Sequence, residues 1–261
     1  MDTSRPLAMV TGASSGIGAE FARQIAGRGY DLVLVARREE RLREVAERIG
    51  GAHILVADLA TDEGLAAAEG RILAAERLEL LVNNAGFGSR GRFHEQEAET
   101  GDRMHRLHVL ATARLTHAAL RVMVPRGRGG IINVSSVAAF MASPGSVSYH
   151  ATKAWVNEFT EGVYLELRGV GSAVKVQALC PGFTYTEFHE VMGWERSVVS
   201  EGWWMAAERV VTESLRGLDR GDLFVVPGWR YRAIARLMRS LPRALRHAIM
   251  IRYAARKGRD G

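Results

Sequence analysis

The stretch Thr11-Gly12-Ala13-Ser14-Ser15-Gly16-Ile17-Gly18 joins a short apolar run to a helical pattern near the start of the chain. Gly12 permits a sharp turn out of a strand, Gly16 lets the backbone approach a ligand closely, and Gly18 lets the helix pack against the sheet. The N–H groups at the start of that helix then face an anion, and Ser14 and Ser15 add hydroxyl donors. This placement predicts a dinucleotide-phosphate loop, although a tight strand–helix connection without a ligand uses the same glycines.

The rest of the chain alternates short apolar runs with longer helical patterns, which is typical of an α/β fold. The runs are continuously apolar, as expected for strands that are buried on both faces of a parallel sheet. We therefore predict a Rossmann-type, doubly wound, seven-stranded parallel sheet with helices on both faces, in one domain over residues 1–261. The predicted strands are Leu7–Val10, Leu32–Val35, His53–Val56, Leu80–Val82, Ile131–Val134, Val174–Leu179 and Leu223–Val226, and the clearest helices are Ala19–Arg28, Glu39–Ile49 and Tyr149–Leu167.

Composition limits the possible classes of function. The single cysteine, Cys180, excludes an intramolecular disulfide and a multi-cysteine metal site, and the histidines form no convincing ligand set, so we predict no metal. Residues 228–261 contain ten Lys and Arg and one acidic residue, so the net charge of +6 belongs to the C-terminal segment and no nucleic-acid partner is expected. Residues 1–5 carry no signal-peptide pattern, and the expected compartment is a reducing cytoplasm.

Two arginines follow the second predicted strand. In dinucleotide folds an acidic residue at this place binds the ribose 2′-hydroxyl, whereas an arginine accommodates a 2′-phosphate. Arg37 and Arg38 therefore favour NADP(H) over NAD(H). The alternative is that both arginines only begin a solvated helix that continues with Glu39 and Glu40.

A tyrosine and a lysine occupy one face of the predicted helix Tyr149–Leu167. Tyr149 and Lys153 are four residues apart, which places both side chains on the same side of a helix. A nearby ammonium group lowers the pKa of a phenol, so the pair can exchange a proton with a carbonyl or an alcohol. Ser136 ends the fifth strand, at the edge where parallel sheets bind ligands, and its hydroxyl can hold the same oxygen. The alternative is that Ser136, like Ser135 beside it, is only a turn residue.

These features together resemble the classical short-chain dehydrogenase/reductase (SDR) family. The matching motifs occur in the order of that family over roughly residues 5–225. They are Thr11–Gly18, Asp58-Leu59, Asn83-Asn84-Ala85-Gly86, Ser136, Tyr149-x-x-x-Lys153 and the run 181–186.

The resemblance implies a role for each matching residue. Asp58 would bind the adenine amino group and Leu59 would pack on the ring, while Asn83 would brace the sheet. Lys153 would also hold the nicotinamide ribose, beside Tyr149 as the proton-exchanging group. The predicted cofactor-binding set is Gly12, Ser14, Ser15, Gly16, Ile17, Gly18, Arg37, Arg38, Asp58, Leu59, Asn84, Ala85, Gly86, Tyr149, Lys153, Pro181, Gly182, Thr184 and Thr186.

One position departs from the family pattern. The family has an asparagine in the helix after the fourth strand, where it helps to hold a water that connects the lysine to solvent, and this sequence has His108. Because histidine also donates and accepts hydrogen bonds, we expect His108 to support the same proton relay. A cofactor-sensing binding protein without turnover, or an epimerase or dehydratase on the same scaffold, are the alternatives to an NADP(H)-dependent oxidoreductase acting on a carbonyl or alcohol.

The remaining expectations concern the substrate side and the C-terminal segment. Aromatic and methionine side chains predict a bulky apolar substrate, with a lid over about residues 187–206; packing of the lid or an oligomer contact is the alternative. Residues 230–257 predict a basic amphipathic segment divided at Pro242, which we expect to dock on the body rather than on a membrane surface. The resemblance implies a homodimer or homotetramer through the helices of His108 and Tyr149. The apolar set is Phe87, Phe140, Met141, Phe183, Phe188, Met192, Trp194, Trp203 and Trp204.

Overall fold

The computed structural model describes residues 5–187 and 200–257. A seven-stranded sheet forms its centre, with the strand order β3-β2-β1-β4-β5-β6-β7 and every neighbouring pair parallel. The strands are β1 Leu7–Thr11, β2 Asp31–Ala36, β3 His53–Val56, β4 Leu78–Asn83, β5 Gly130–Val134, β6 Lys175–Leu179 and β7 Phe224–Val225. The predicted seven strands and their parallel arrangement are therefore confirmed.

Helices connect the strands and cover both faces of the sheet. One face packs under α1 and its neighbours, with Phe21 and Ile25 fully buried, and the other packs under α3 and α5, with Leu65 and Leu115 fully buried. The two separate apolar layers explain why the strand sequences lack alternation. The helices are α1 Gly16–Gly27, α2 Glu39–Arg48, α3 Asp62–Leu73, α4 Ala98–His105, α5 Thr112–Met123, α6 Val147–Gly169, α7 Ala207–Arg220, α8 Trp229–Ser240 and α9 Arg243–Lys257.

The strand order places a crevice beside β1 and β4. The chain runs outward through β1, β2 and β3, then returns to β4 on the opposite side of β1. Loops after two such neighbouring strands diverge, and ligands of doubly wound sheets bind in the gap at the carboxyl ends. The glycine loop follows β1 and Asn84 follows β4, so both predicted motifs lie at this switch point.

The C-terminal segment forms two helices, and Pro242 separates them as predicted. Helix α8 docks on the body, because Tyr231 and Ala235 are each 5% exposed and Met238 is 9% exposed. The side chains of Leu245, Ile249 and Ile251 on α9 are instead exposed. Among the described residues, no helix is both long and apolar enough to cross a membrane.

Candidate active site

The glycine loop is closely packed against the chain around it. A Cβ atom on Gly18 would lie 2.2 Å from the carbonyl oxygen of Gly12, and a Cβ on Gly12 would lie 2.8 Å from Asn84 Nδ2. Gly12 and Gly16 also have positive φ angles of 64° and 56°, which side chains disfavour. Helix α1 begins without a side-chain cap from Ser15, so its first N–H groups have no capping oxygen. The loop therefore has the form that an anionic group needs, and Ile17 packs from it onto the core.

Thr11 holds the glycine loop to the strand β4 side of the crevice. Its Oγ1 accepts the backbone N–H groups of Asn84 and Ala85 at 2.9 and 3.0 Å and donates to the carbonyl of Val82 at 3.2 Å. The Asn84 amide donates in turn to the carbonyl oxygens of Thr11 and Gly12 at 3.0 and 3.2 Å. The side chain of Asn84 thus braces the loop. Thr11 belongs to the sequence motif, but the sequence does not reveal its bridging role, because its partners lie more than 70 residues away in the chain.

Arg38 lies over the glycine loop. Its Nη2 contacts Ser14 Oγ at 3.2 Å, Ser15 Oγ at 3.0 Å and a carboxylate oxygen of Glu187 at 3.1 Å. One guanidinium group therefore joins the loop hydroxyls to the end of the segment after β6. Arg38 is half exposed, so it can exchange the Glu187 carboxylate for another anion without desolvating a buried charge.

Asp58 is already paired within the chain. Its Oδ1 accepts the N–H of Ala60 at 3.0 Å, and its Oδ2 pairs with Arg103 and lies 4.0 Å from Arg37. Burial alone would raise the pKa of Asp58, but the hydrogen bonds from Ala60 and Arg103 and the two positive charges outweigh it and lower that pKa. An adenine amino group would have to share this carboxylate with Arg103, a partner that sequence spacing does not reveal.

Two residues close to Asp58 in the sequence also have contacts within the chain. Thr61, rather than Asp58, caps α3 by accepting the N–H of Gly64 at 3.1 Å. Leu59 is 4% exposed and packs into the core, so its side chain contacts protein on most of its surface.

Ser136 and Tyr149 meet beyond the carboxyl end of β5. Ser136 begins the short turn Val137–Phe140, where its Oγ accepts the N–H of Ala138 at 3.1 Å. A hydrogen bond with Ser136 lowers the pKa of Tyr149 and so opposes part of the increase that burial causes. Ser135 points elsewhere, because its Oγ donates to the carbonyl oxygen of Lys153 at 2.9 Å. Of these two serines, Ser136 is the one beside the tyrosine.

Lys153 lies one helical turn along α6 from Tyr149. Its Nζ donates to the carbonyl oxygen of Val134 at 2.8 Å and lies 5.8 Å from the centroid of the Tyr149 ring. The side chain is buried, and this burial lowers the pKa of Lys153 to about 8, against a small opposing effect from Cys180. The amine is thus fixed beside the tyrosine but remains mostly protonated at neutral pH.

The pKa of Tyr149 moves in the opposite direction to the sequence prediction. Burial raises the pKa of Tyr149 to about 12, although the hydrogen bond from Ser136 lowers it. The physical reason is that a phenolate loses more solvation in this pocket than the polar neighbours in the chain restore. In the chain alone, Tyr149 is therefore a neutral phenol, which is a proton donor.

His108 lies in a π-helical turn, Arg106–Ala111, between α4 and α5 and is 1% exposed. Its Nε2 accepts the N–H of Phe87 at 3.0 Å, which assigns the ring proton to Nδ1, and Nδ1 lies 3.0 Å from Thr152 Oγ1. Burial, then the charges of Lys153 and His105, hold the pKa of His108 well below its usual value. Both ring nitrogens are occupied, so this geometry favours a neutral bridge between β4 and α6 over the expected proton relay.

A ladder of buried polar side chains crosses the sheet below the site. Asn83 Nδ2 donates to Thr116 Oγ1 at 3.1 Å and to Asn133 Oδ1 at 2.9 Å, and Asn133 Nδ2 donates to Thr160 Oγ1 at 3.0 Å. These contacts connect β4, α5, β5 and α6, as the predicted bracing role of Asn83 requires. The carbonyl oxygen of the Asn83 side chain has no partner among the described residues.

The loop after β6 packs under α8. Pro181 accepts the N–H of Val137 at 3.0 Å, and a Cβ on Gly182 would lie 2.1 Å from the ring of Tyr231. The Tyr231 hydroxyl accepts the N–H of Phe183 at 3.0 Å and donates to the carbonyl oxygen of Trp203 at 2.6 Å.

Two threonines of this loop lie beside the glycine loop or the core. Thr184 is 3% exposed and pairs with Met205 in a parallel bridge. Thr186 lies 3.0 Å from a Cβ placed on Gly16, so it faces the glycine loop. Gly86 is equally constrained, because its Cβ would lie 2.8 Å from His108 Nε2.

Several of the predicted substrate-pocket residues serve internal packing instead. Trp204 is 9% exposed and packs against Phe183 and Tyr185, with ring centroids 5.5 and 5.2 Å away, and Phe140 packs against Phe224 at 6.5 Å. At the end of the predicted lid, Trp203, Trp204 and Met205 are therefore packed against the body. Phe188, Met192 and Trp194 lie outside the described residues.

The fold and this site define a Rossmann-type nucleotide-binding oxidoreductase class: a parallel sheet with a glycine loop at its switch point and a Ser–Tyr–Lys set beside it. The family model for short chain dehydrogenases matches residues 6–195. The chain therefore belongs to the short-chain dehydrogenase family, as its motifs predicted.

Individual relatives agree with that family. Sulfoacetaldehyde reductase 2 of Chromohalobacter salexigens is 35% identical over 189 residues, which cover 70% of this chain and 74% of that protein. A short-chain dehydrogenase from Sphingobium yanoikuyae, solved with NADPH, is 38% identical over 92% of this chain and 97% of its own, with a TM-score of 0.81. A bulky-bulky ketone specific alcohol dehydrogenase from Comamonas testosteroni is 34% identical over 93% and 97% of the two chains, with a TM-score of 0.78.

Proposed function

We propose that this chain is an NADP(H)-dependent oxidoreductase, in one domain, that interconverts a carbonyl compound and its alcohol. The observation that carries the proposal is the placement of Ser136, Tyr149 and Lys153 at the same sheet edge as the glycine loop. NADP(H) would lie along that edge, with its phosphates at the start of α1 and its nicotinamide half near Lys153 and the loop after β6. The cofactor supplies a hydride for the carbonyl carbon.

The side chains of the protein handle the oxygen atom and its proton. Ser136 accepts the N–H of Ala138 with its oxygen, and its hydroxyl, which bonds to Tyr149 in the chain alone, would also hold the carbonyl oxygen of the substrate. Tyr149 donates its proton to that oxygen as negative charge develops there. Lys153, fixed by Val134, stabilises the resulting phenolate through its positive charge.

The raised pKa of Tyr149 supports reduction as the favoured direction. A phenol with a pKa of about 12 keeps its proton at neutral pH and can donate it to a developing alkoxide, a stronger base. In the oxidative direction the same residue has to be deprotonated first, which its burial opposes. We therefore expect carbonyl reduction to outpace alcohol oxidation at pH 7.

A carbonyl panel tests the proposal. NADPH oxidation is followed at 340 nm with aldehydes and ketones of increasing size, for the wild type and for Tyr149→Phe. We expect turnover in the wild type and a loss of about 100-fold or more in the variant, because one positioned proton donor contributes roughly that factor. Tyr164→Phe, on the same helix, is the matched control and should retain activity. NADPH binding without turnover on any carbonyl would instead indicate the cofactor-sensing alternative.

The preference for NADP(H) rests on Arg38 and on its serine partners. A 2′-phosphate can replace the Glu187 carboxylate at Arg38 and gain the hydroxyls of Ser14 and Ser15. Arg38→Met should lower kcat/KM for NADPH by about 10–100-fold, as expected for a lost charge-assisted hydrogen bond, with little change for NADH. Arg41→Met, whose arginine pairs only locally with Glu44, is the control. Equal losses for both cofactors would contradict this assignment.

The names of two relatives bear on the class of substrate. The Comamonas relative is specific for bulky ketones and the Chromohalobacter relative reduces an aldehyde that carries a sulfonate. A carbonyl substrate with a sizeable apolar part is consistent with the first of these, although Trp204 and Phe140 are used for packing.

Self-association through α5 and α6 also belongs to this proposal. Leu110 is 37% exposed just before α5, and Leu165 is 61% exposed on α6, so both elements keep apolar surface for a second copy. Light scattering should give a dimer or tetramer, and Leu165→Glu should shift it toward the monomer. A monomeric wild type would refute this part.

A further inference from the structure

A cavity of about 130 Å³ lies between α9 and the segment that follows Ser136. It has room for about four water molecules, at roughly 30 Å³ each, and so for a carboxylate or a group of similar size. Its lining combines methionine side chains with cationic or ionisable groups: Met141, Ala142, Arg243, Arg246, His247 and Met250.

One face of helix α9 lines the cavity and combines basic groups with a methionine side chain. Positions 243, 246, 247 and 250 recur at helical spacing and line the cavity; Arg246 and Met250 are partly buried there, whereas Arg243 and His247 are exposed. Leu245 and Ile249, on another face of the same helix, are 48% and 38% exposed. Hydrophobic burial does not explain why the guanidinium group of Arg246 is partly buried while these apolar side chains are exposed.

One of the residues that line the cavity has an unsatisfied donor. The Nε of Arg246 is buried and has no hydrogen-bond partner among the described residues. Within the same residues, neither Arg243 nor Arg246 forms an ion pair with an acidic side chain. A buried guanidinium N–H without an acceptor is costly, and an anion in the cavity would satisfy it.

The cavity is tied to the catalytic helix. The carbonyl oxygen of Met141, one of its wall residues, lies 2.6 Å from Nδ1 of His150, which follows Tyr149 directly. The carbonyl oxygen of Ala138 lies 2.8 Å from the same nitrogen, so the turn that begins at Ser136 ends at the cavity wall. This turn therefore connects Ser136, which would hold the substrate carbonyl, to the wall of the cavity.

From these observations we infer that the cavity binds an anionic group, a carboxylate or sulfonate, at the far end of the carbonyl substrate. The inference rests on the proposed carbonyl reductase function and narrows its substrate class to oxo acids with an apolar spacer. The spacer contacts the methionine side chains, and Arg243 and Arg246 bind the anion.

Matched pairs of substrates test this inference. Medium-chain oxo carboxylates are compared with their methyl esters, which keep length and carbonyl but remove the charge. We expect kcat/KM to favour the acid by about 10–100-fold, mainly through KM, because charge-assisted hydrogen bonds are worth that factor. Arg246→Met should abolish the preference while leaving turnover of the esters intact. Arg252→Met, an exposed arginine on the same helix that does not line the cavity, is the control.

A binding measurement separates this inference from the proposed function. Thermal unfolding is followed with the same oxo carboxylates and, separately, with inorganic phosphate. Stabilisation of the wild type by the carboxylates, lost in Arg246→Met, supports the anion site even if no carbonyl is turned over. Stabilisation by phosphate alone, with equal kcat/KM for acids and esters, would assign the cavity to a free anion and overturn the substrate inference. An unchanged acid preference in Arg246→Met overturns it as well.

Discussion

Replacing His108 by leucine should make the protein less stable at neutral pH but less sensitive to acid. At pH 7.5 the change removes the acceptor of the Phe87 N–H and leaves this partly buried donor unpaired. An unsatisfied donor of this kind costs about 1–3 kcal/mol. Thr152 keeps an acceptor in the carbonyl oxygen of Tyr149, 3.0 Å away, so it contributes little to the loss.

The pH dependence follows from the lowered pKa of His108. The folded state keeps the ring neutral, whereas the unfolded chain protonates it below its ordinary value of 6.5. The unfolded state therefore binds more protons as the pH falls below 6.5, and wild-type stability decreases over that range. With 1.36 kcal/mol per pKa unit, the loss between pH 7.5 and pH 5 is about 2 kcal/mol at most. His108→Leu lacks this contribution, so the difference between the two proteins should shrink toward zero at pH 5.

Urea unfolding at several pH values measures this difference. Tryptophan fluorescence reports the transition, and the free energy of unfolding is extrapolated for each protein at pH 7.5, 6.5 and 5. His117→Leu, at an exposed position on α5, is the matched control and should keep the wild-type dependence. Parallel curves for wild type and His108→Leu would mean that the ring is not held neutral, and the bridging geometry would then be wrong.

Two further substitutions test the site and its support. Lys153→Met should abolish carbonyl reduction yet raise the melting temperature by several degrees at pH 7. Burial lowers the pKa of Lys153 from 10.5 to about 8, which costs the folded protein about 3 kcal/mol below pH 8, whereas the lost hydrogen bond to Val134 is worth only about 1 kcal/mol. A lower melting temperature would contradict this balance. Gly182→Ala should lower the free energy of unfolding in urea by about 1–3 kcal/mol, because its Cβ would lie 2.1 Å from the Tyr231 ring. The same substitution in a Tyr231→Ala background should cost much less. An equal cost in both backgrounds would exclude the clash as its cause.

The sheet and its loops could be predicted because their signals are local. Continuous apolar runs such as Leu32–Val35 reveal strands buried on both faces, and the glycine spacing reveals a loop that must pass close to other backbone. The order of these signals along the chain then determines which loops reach the same sheet edge. Prediction of Ser136, Tyr149 and Lys153 as neighbours followed from that order and from helical spacing.

The electrostatic details could not be predicted, because they depend on contacts between distant segments. Arg38 is 149 residues from Glu187, and Arg103 is 45 residues from Asp58. The sequence argument for Tyr149 considered the charge of Lys153 but not the loss of solvation, which dominates in the folded chain. The bridging contacts of His108 and the cavity beside α9 likewise form only when distant segments pack together.

The buried polar ladder from Asn83 to Thr160 has a consequence for accuracy at the reaction centre. An apolar interior tolerates small slips between neighbouring elements, since one methyl contact resembles another, whereas an amide finds its acceptor at one setting only. Asn83 directly precedes Asn84, and Asn133 lies three residues before Ser136. The ladder therefore fixes the register between β4 and β5, and with it the relative positions of the loop that begins at Asn84 and the hydroxyl of Ser136.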